Sequence, residues 1–122
     1  MSYLKKRIQA FGFAFSGLFA AIKREKNLQL QVIIAILVII GGIYFHCNSI
    51  DWLMIIACIA CVISLELINS AIERLCDLYS KEPDPRIKYI KDVSAAAVLV
   101  ASLFAAIVGL IVFIPYVKAL CS

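Results

Sequence analysis

Charge is what this chain has least of: 16% of its 122 residues are charged against 64% hydrophobic, and the mean hydropathy is +0.99. Soluble domains carry roughly 25% charged residues, so that class is excluded and hydrocarbon becomes the reference solvent. Histidine occurs once, at position 46. Lying in a turn between two apolar runs, it reads as a surface or interface residue rather than a ligand or a catalytic base. There is no GxxxxGK[ST] and no glycine-rich nucleotide loop, which excludes a P-loop site. Five cysteines yield a single CxxC, Cys58 with Cys61, inside an apolar run without a second pair or a nearby histidine. Apolar packing explains them better than zinc or redox chemistry, and Cys76 falls on the expected cytoplasmic side, where thiols stay reduced. Residues 1–27 hold no uninterrupted apolar core and no convincing cleavage site, so no signal peptide is expected there.

What is present is long apolar sequence, in runs over 28–47, 52–75 and 93–114. Each is long enough to cross a bilayer at about 1.5 Å per helical residue. The first has Gln29 and Gln31 near its start, and the second turns polar after Leu65. Along the third, Ala97, Ala101, Ala105 and Gly109 recur every four residues, a small-residue face suited to close helix contact, and Pro115 is expected to close the span. Residues 1–26 form a separate element. Leu4, Ile8, Phe11, Phe15, Leu18, Phe19 and Ile22 recur at helical spacing beside Lys5, Lys6 and Arg7, the pattern of an amphipathic helix in the cytoplasmic headgroup layer. The expected fold class is therefore an all-α membrane protein: one interfacial helix and three transmembrane helices, in one integral-membrane domain over 1–122.

Cations set the expected topology. Lys5, Lys6, Arg7, Lys23, Arg24 and Lys26 precede the first span; residues 46–51 hold none; Arg74, Lys81, Arg86, Lys88 and Lys91 follow the second; Lys118 alone lies in the tail. Positive-inside bias places the N-terminus and the 74–91 segment in the cytoplasm of a bacterial inner membrane, with 46–51 and the C-terminus outside. The net charge of +4 lies on one membrane face, and no nucleic acid is needed to account for it. In 78–90, Pro83 and Pro85 are expected to break any helix and force an exposed turn. Asp92 is then expected near a helix start, where a carboxylate suits the dipole.

The most informative stretch is Glu66-Leu-Ile-Asn-Ser-Ala-Ile-Glu73, with Asp77 four residues on. At about 100° per residue, positions 66, 69, 70, 73 and 77 fall within roughly 60° of one direction. An ionisable residue at membrane depth is a functional-site hypothesis by default. Glu66 and Glu73 stand roughly 10.5 Å apart along the axis, too far to hold one ion together. Glu66 is deeper, where a lipid headgroup can offer a hydroxyl to a proton-abstracting carboxylate. Glu73 is nearer the cytoplasm, where Mg²⁺ arrives held partly by substrate phosphates. Glu25, the only acidic residue in the first 50, sits at the same level and could complete that metal site; Lys91 could neutralise phosphate charge.

With Lys91-Asp-Val-Ser-Ala-Ala-Ala-Val98 after a short loop, and Arg24-Glu-Lys-Asn27 before the first span, this stretch resembles the prokaryotic diacylglycerol kinase family, small three-span membrane enzymes that include undecaprenol kinases. The resemblance covers nearly the whole chain. It implies ATP- and Mg²⁺-dependent phosphorylation of a lipid alcohol, with Glu66 as general base and Glu25 and Glu73 as Mg²⁺ ligands. Asn69 would orient the site, and Lys91 with Asp92 would contact the nucleotide phosphates or organise that contact. It also implies a homotrimer with active sites shared between subunits. Two departures stand out: Ser94-Ala95 where some members have Gly-Ser, and Phe13 and Phe19 where diacylglycerol-using members are more polar. The stretches 24–31, 64–69 and 109–115 look more like the undecaprenol branch than the diacylglycerol branch. The rival of another class is a non-catalytic membrane protein whose carboxylates line a cation or proton path. That rival accounts for Glu66 and Glu73 but not for Glu25, Lys91 and Asp92 at one level.

Overall fold

A single residue of extended backbone, Glu25 (φ −100°, ψ 110°), separates the first two helices of the computed structural model, which describes residues 2–122. They are α1, Tyr3–Arg24, and α2, Lys26–Tyr44; α3, Ser49–Tyr79, and α4, Pro85–Cys121, follow. No strand occurs among the described residues. Glu25 closes one helix through its N–H, bonded to the Ala21 carbonyl, and opens the next through its own carbonyl, which accepts from the Gln29 N–H. The Gln29 side chain strengthens the corner. Its Nε2 donates to the carbonyls of Ile22 (2.8 Å) and Lys23 (3.2 Å), two acceptors that the end of α1 leaves without helical partners. Local caps start the other helices: Ser2 accepts from the Lys5 N–H, Asn48 from Asp51 and Asp84 from Arg86. The Arg86 side chain and N–H beside Asp84 hold its carboxyl below the usual carboxylate range.

Helices α2, α3 and α4 are each long and apolar enough to cross a membrane. α3 and α4 form the most extensive pair, α2 packs on α3, and α1 touches both α2 and α3. α1 buries none of its residues, leaving Phe11, Phe13, Phe15 and Phe19 exposed as an interfacial helix offers them to lipid. At about 1.5 Å per residue, the 31 residues of α3 and 37 of α4 exceed a hydrocarbon core of about 30 Å. Part of each therefore extends beyond it.

The two ends of the bundle differ. Around the 45–48 turn, Cys47, Ile55, Cys58, Val108 and Val112 form a buried apolar cluster, flanked by Phe45, Trp52, Phe113 and Tyr116. The Tyr116 hydroxyl donates to Asp51 at 2.6 Å and ties the end of α4 to the start of α3. Between apolar helices in lipid this cohesion comes from close packing rather than from transfer out of water. The opposite end carries a polar stripe beside the buried Leu28 and Cys76, and the site lies there.

Three expectations are corrected. The exposed turn expected within 78–90 is present at 80–84 and contains Pro83, but Pro85 lies past it and begins α4 at the first position, where its missing N–H costs nothing and its fixed φ is already helical. Asp92 consequently lies about two turns inside α4 and bonds with Lys88, so the dipole account of it fails, and Asp84 is the cap. Pro115 does not close the third span, because α4 runs through it to Cys121. A proline removes one N–H from the ladder, which an otherwise continuous apolar helix can absorb. The small-residue face is also used within the chain: Ala101 is buried and Ala105 packs on the apolar cluster, while Ala97 faces outward.

Candidate functional site

Helical spacing alone puts Glu66, Asn69, Ser70 and Glu73 on one face of α3, and the packing turns that face inward. Glu66, Asn69 and Ser70 are only 3%, 4% and 6% exposed, Glu73 is half-buried, and Asp77 is exposed. A buried carboxylate at membrane depth demands polar company. The side chains of Asn69 and Gln31 face the Glu66 carboxyl, and Glu73 and Glu25 lie within electrostatic reach of it. Asn69 Nδ2 lies 3.5 Å from Glu73 Oε1, at the outer limit of a hydrogen bond.

Gln31, Glu66, Asn69 and Glu73 line a cleft of about 320 Å³ between α2, α3 and α4, which Asn27 and Leu30 border on one side and Ala95, Val98 and Ser102 on another. A second cleft, of about 360 Å³, runs toward the 45–48 end and is walled by apolar side chains such as Ile34, Val38, Ile59 and Val62. Gln31 and Ser102 border both clefts. The polar end thus opens into an apolar groove, and Glu66 stands near their junction. The Oδ1 of Asn69 and Oε1 of Gln31 are buried without hydrogen-bond partners among the described residues, two acceptors this end of the bundle leaves unsatisfied.

The six residues singled out in the sequence do not all share this cleft. Glu66, Asn69 and Glu73 line it together. Glu25 stands beside it at the α1–α2 corner, accepting from Arg74 Nε at 2.7 Å. Lys91 and Asp92 line a separate cleft of about 240 Å³ with Asp77, Lys81 and Lys88. There Lys91 Nζ donates to Asp77 Oδ1 at 2.7 Å, and Lys88 pairs with Asp92. Gln31 and Arg74 had no assigned role in the sequence reading. An amide inside an apolar span and a cation directly after Glu73 were the signals available for them.

Among the described residues no group of three or more His, Cys, Asp or Glu side chains could hold a metal unaided. Magnesium is commonly held by one or two carboxylates and completed by substrate phosphates and water. Glu73 in the cleft and Glu25 beside it are two carboxylates, the number that such an ion commonly takes from protein.

The prokaryotic diacylglycerol kinase family matches residues 12–113. The undecaprenol kinase of Bacillus subtilis is 34% identical over 112 residues, covering 92% of this chain and 91% of its own length. The diacylglycerol kinase of Helicobacter pylori strain 26695 is 33% identical over 101 residues, 82% of this chain and 78% of its own. That of Escherichia coli K12 is 29% identical over 100 residues, 82% of each chain. The chain belongs to the prokaryotic diacylglycerol kinase family and is a multi-pass membrane lipid kinase.

Proposed function

We propose that this member of the family transfers the γ-phosphate of ATP to the hydroxyl of undecaprenol at the junction of the polar cleft and the apolar groove. The carrying observation is the burial of Glu66 beside Gln31 and Ser102, where an apolar chain in the groove would leave its terminal hydroxyl among polar groups. Glu66 accepts the hydroxyl proton, the lipid oxygen bonds to the γ-phosphorus, and the bond from that phosphorus to the β–γ bridging oxygen breaks. ADP leaves, and the proton passes from Glu66 to water. Glu25 and Glu73 would hold Mg²⁺, which would neutralise charge on the phosphates. Asn69 orients Glu73 and the cleft, and Lys91 with Asp92 steadies the nucleotide phosphates from the neighbouring cleft.

Undecaprenol is favoured because the undecaprenol kinase relative matches over more of the chain than the diacylglycerol kinases do, and at slightly higher identity. The cation bias supports a cytoplasmic N-terminus and 74–91 segment in a bacterial inner membrane, on the side where ATP is. The chain assembles as a homotrimer with shared sites. Support for this comes from the separation of the Glu66 cleft from the Lys91 cleft within one chain, and from the many exposed apolar side chains on the spans. Mixing Glu66→Gln subunits with Lys91→Met subunits should then restore activity that neither has alone.

The deciding experiment is phosphate transfer from labelled ATP by purified protein in mixed micelles, with undecaprenol and diacylglycerol offered in parallel. Preferential labelling of undecaprenol is expected. Preferential labelling of diacylglycerol would replace undecaprenol as the substrate and leave the chemistry intact.

A further inference from the structure

Arg74 has no part in the roles assigned above, yet it makes a hydrogen bond that ties α3 to the α1–α2 corner through a Glu25 oxygen, at 2.7 Å. It follows Glu73 directly, so its side chain leaves α3 about 100° away from the Glu73 direction. The two partners differ in freedom. Glu25 is 20% exposed and held by backbone bonds on both sides, whereas the Arg74 side chain is 58% exposed. The bond uses Nε, which leaves the four terminal N–H donors of the guanidinium for another acceptor. The pair also answers an electrostatic problem, because Glu25 and Glu73 both bear on Glu66 and three carboxylates near one cleft repel one another.

We propose that Arg74 is a displaceable counter-ion: it occupies Glu25 until metal-bound nucleotide arrives, then releases that carboxylate to the metal and turns to the polyphosphate. This rests on the reading of Glu25 as a Mg²⁺ ligand. The exchange keeps charge matched throughout. The divalent cation replaces the guanidinium at Glu25, and the freed guanidinium meets the phosphate anion, for which its planar fork is better suited than a lysine. Arg74 is a positioning residue for Glu25 in the first state and a phosphate contact in the second.

The test separates these states by sign, on full-length protein in micelles. Binding of Mn²⁺ alone is followed by loss of the free-ion paramagnetic signal, and binding of Mg²⁺ with a non-hydrolysable ATP analogue by equilibrium dialysis. Arg74→Gln should bind Mn²⁺ alone about fivefold more tightly, since a competing cation is gone. It should bind the Mg²⁺–nucleotide about tenfold more weakly, since a charge-assisted phosphate contact is lost. Arg74→Lys, which keeps the charge, should leave Mn²⁺ affinity near the parent value and lose only part of the nucleotide affinity. Weakening of both ligands in Arg74→Gln, or a change in neither, would overturn the proposal and leave the pair a structural tie. Glu25→Gln tells the two failures apart. Unchanged Mn²⁺ affinity in that variant removes Glu25 from the metal site, whereas weakened affinity there without tightening in Arg74→Gln sinks the counter-ion role alone.

Discussion

Lys91 Nζ lies 2.7 Å from Asp77 Oδ1, joining α4 to α3 across the loop that carries Pro83 and Pro85. Both side chains are substantially exposed, and such pairs contribute only about 0–1 kcal/mol, so fold stability is not what the bond secures. It fixes the direction of a long, flexible cation one helical turn beyond Glu73. Asp77→Asn should therefore raise the KM for ATP about twofold to threefold and barely change kcat, while Lys91→Met should raise it about tenfold. The double variant should be no worse than Lys91→Met. Steady-state kinetics at fixed lipid concentration would check this, and additive losses would mean that Asp77 acts independently of Lys91.

Glu66→Gln should lower the phosphate-transfer rate by about 10²–10⁴-fold, the usual worth of a positioned general base, and leave Mg²⁺–ATP binding largely intact. The amide keeps size and hydrogen bonding but cannot take the proton. Glu25→Gln and Glu73→Gln should do the reverse and weaken Mg²⁺–ATP binding first. Single-turnover kinetics beside nucleotide binding separates these outcomes; loss of nucleotide binding in Glu66→Gln would contradict the base assignment.

Legibility in the sequence followed the range of the physics involved. The stripe of Glu66, Asn69 and Glu73 was readable because one helix sets its spacing, and the three spans because hydropathy is a sum over neighbours. Gln31 was visible as an amide in an apolar span, yet its place at the junction of two clefts depends on how α2, α3 and α4 come together. The same holds for Arg74, whose partner is 49 residues away. Lys91 and Asp92 were at the right depth but line a different cleft from Glu66, since sequence gives position along an axis and not the side of a helix pair. Asp92 was misjudged for a related reason: hydropathy marks where a helix meets lipid, and α4 begins well before that, at Pro85.

Gly42 leaves little space for a side chain. A Cβ there would stand 2.8 Å from Trp52 Cη2 and 2.9 Å from Cζ2, closer than carbon atoms approach without displacement. The indole packs against the apolar cluster, so its displacement disturbs that packing. Gly42→Ala should cost about 1–3 kcal/mol, as overpacking does. Thermal unfolding in micelles should show a lower midpoint, partly recovered when Trp52→Leu is added. Transfer activity at low temperature should persist, because the polar cleft lies at the other end of the bundle.

His46 carries the turn between α2 and α3 in a conformation that side chains disfavour, with φ at 53°. Its N–H bonds to the Ile43 carbonyl and that of Cys47 to the Gly42 carbonyl, the paired pattern of a helix end closed by one left-handed residue. Glycine is the usual occupant, and histidine or asparagine is tolerated there better than a β-branched residue, whose Cβ substituents crowd the backbone. Replacing His46 by glycine relieves that strain but gives the unfolded chain more freedom, so the two effects partly cancel. The expected order of thermal midpoint is thus glycine at or slightly above histidine, asparagine near histidine, and valine lowest by about 1–2 kcal/mol. His46→Val is the decisive variant. A midpoint equal to the parent's would mean that the turn can close without a left-handed residue and that the bonds to Gly42 and Ile43 do not hold it.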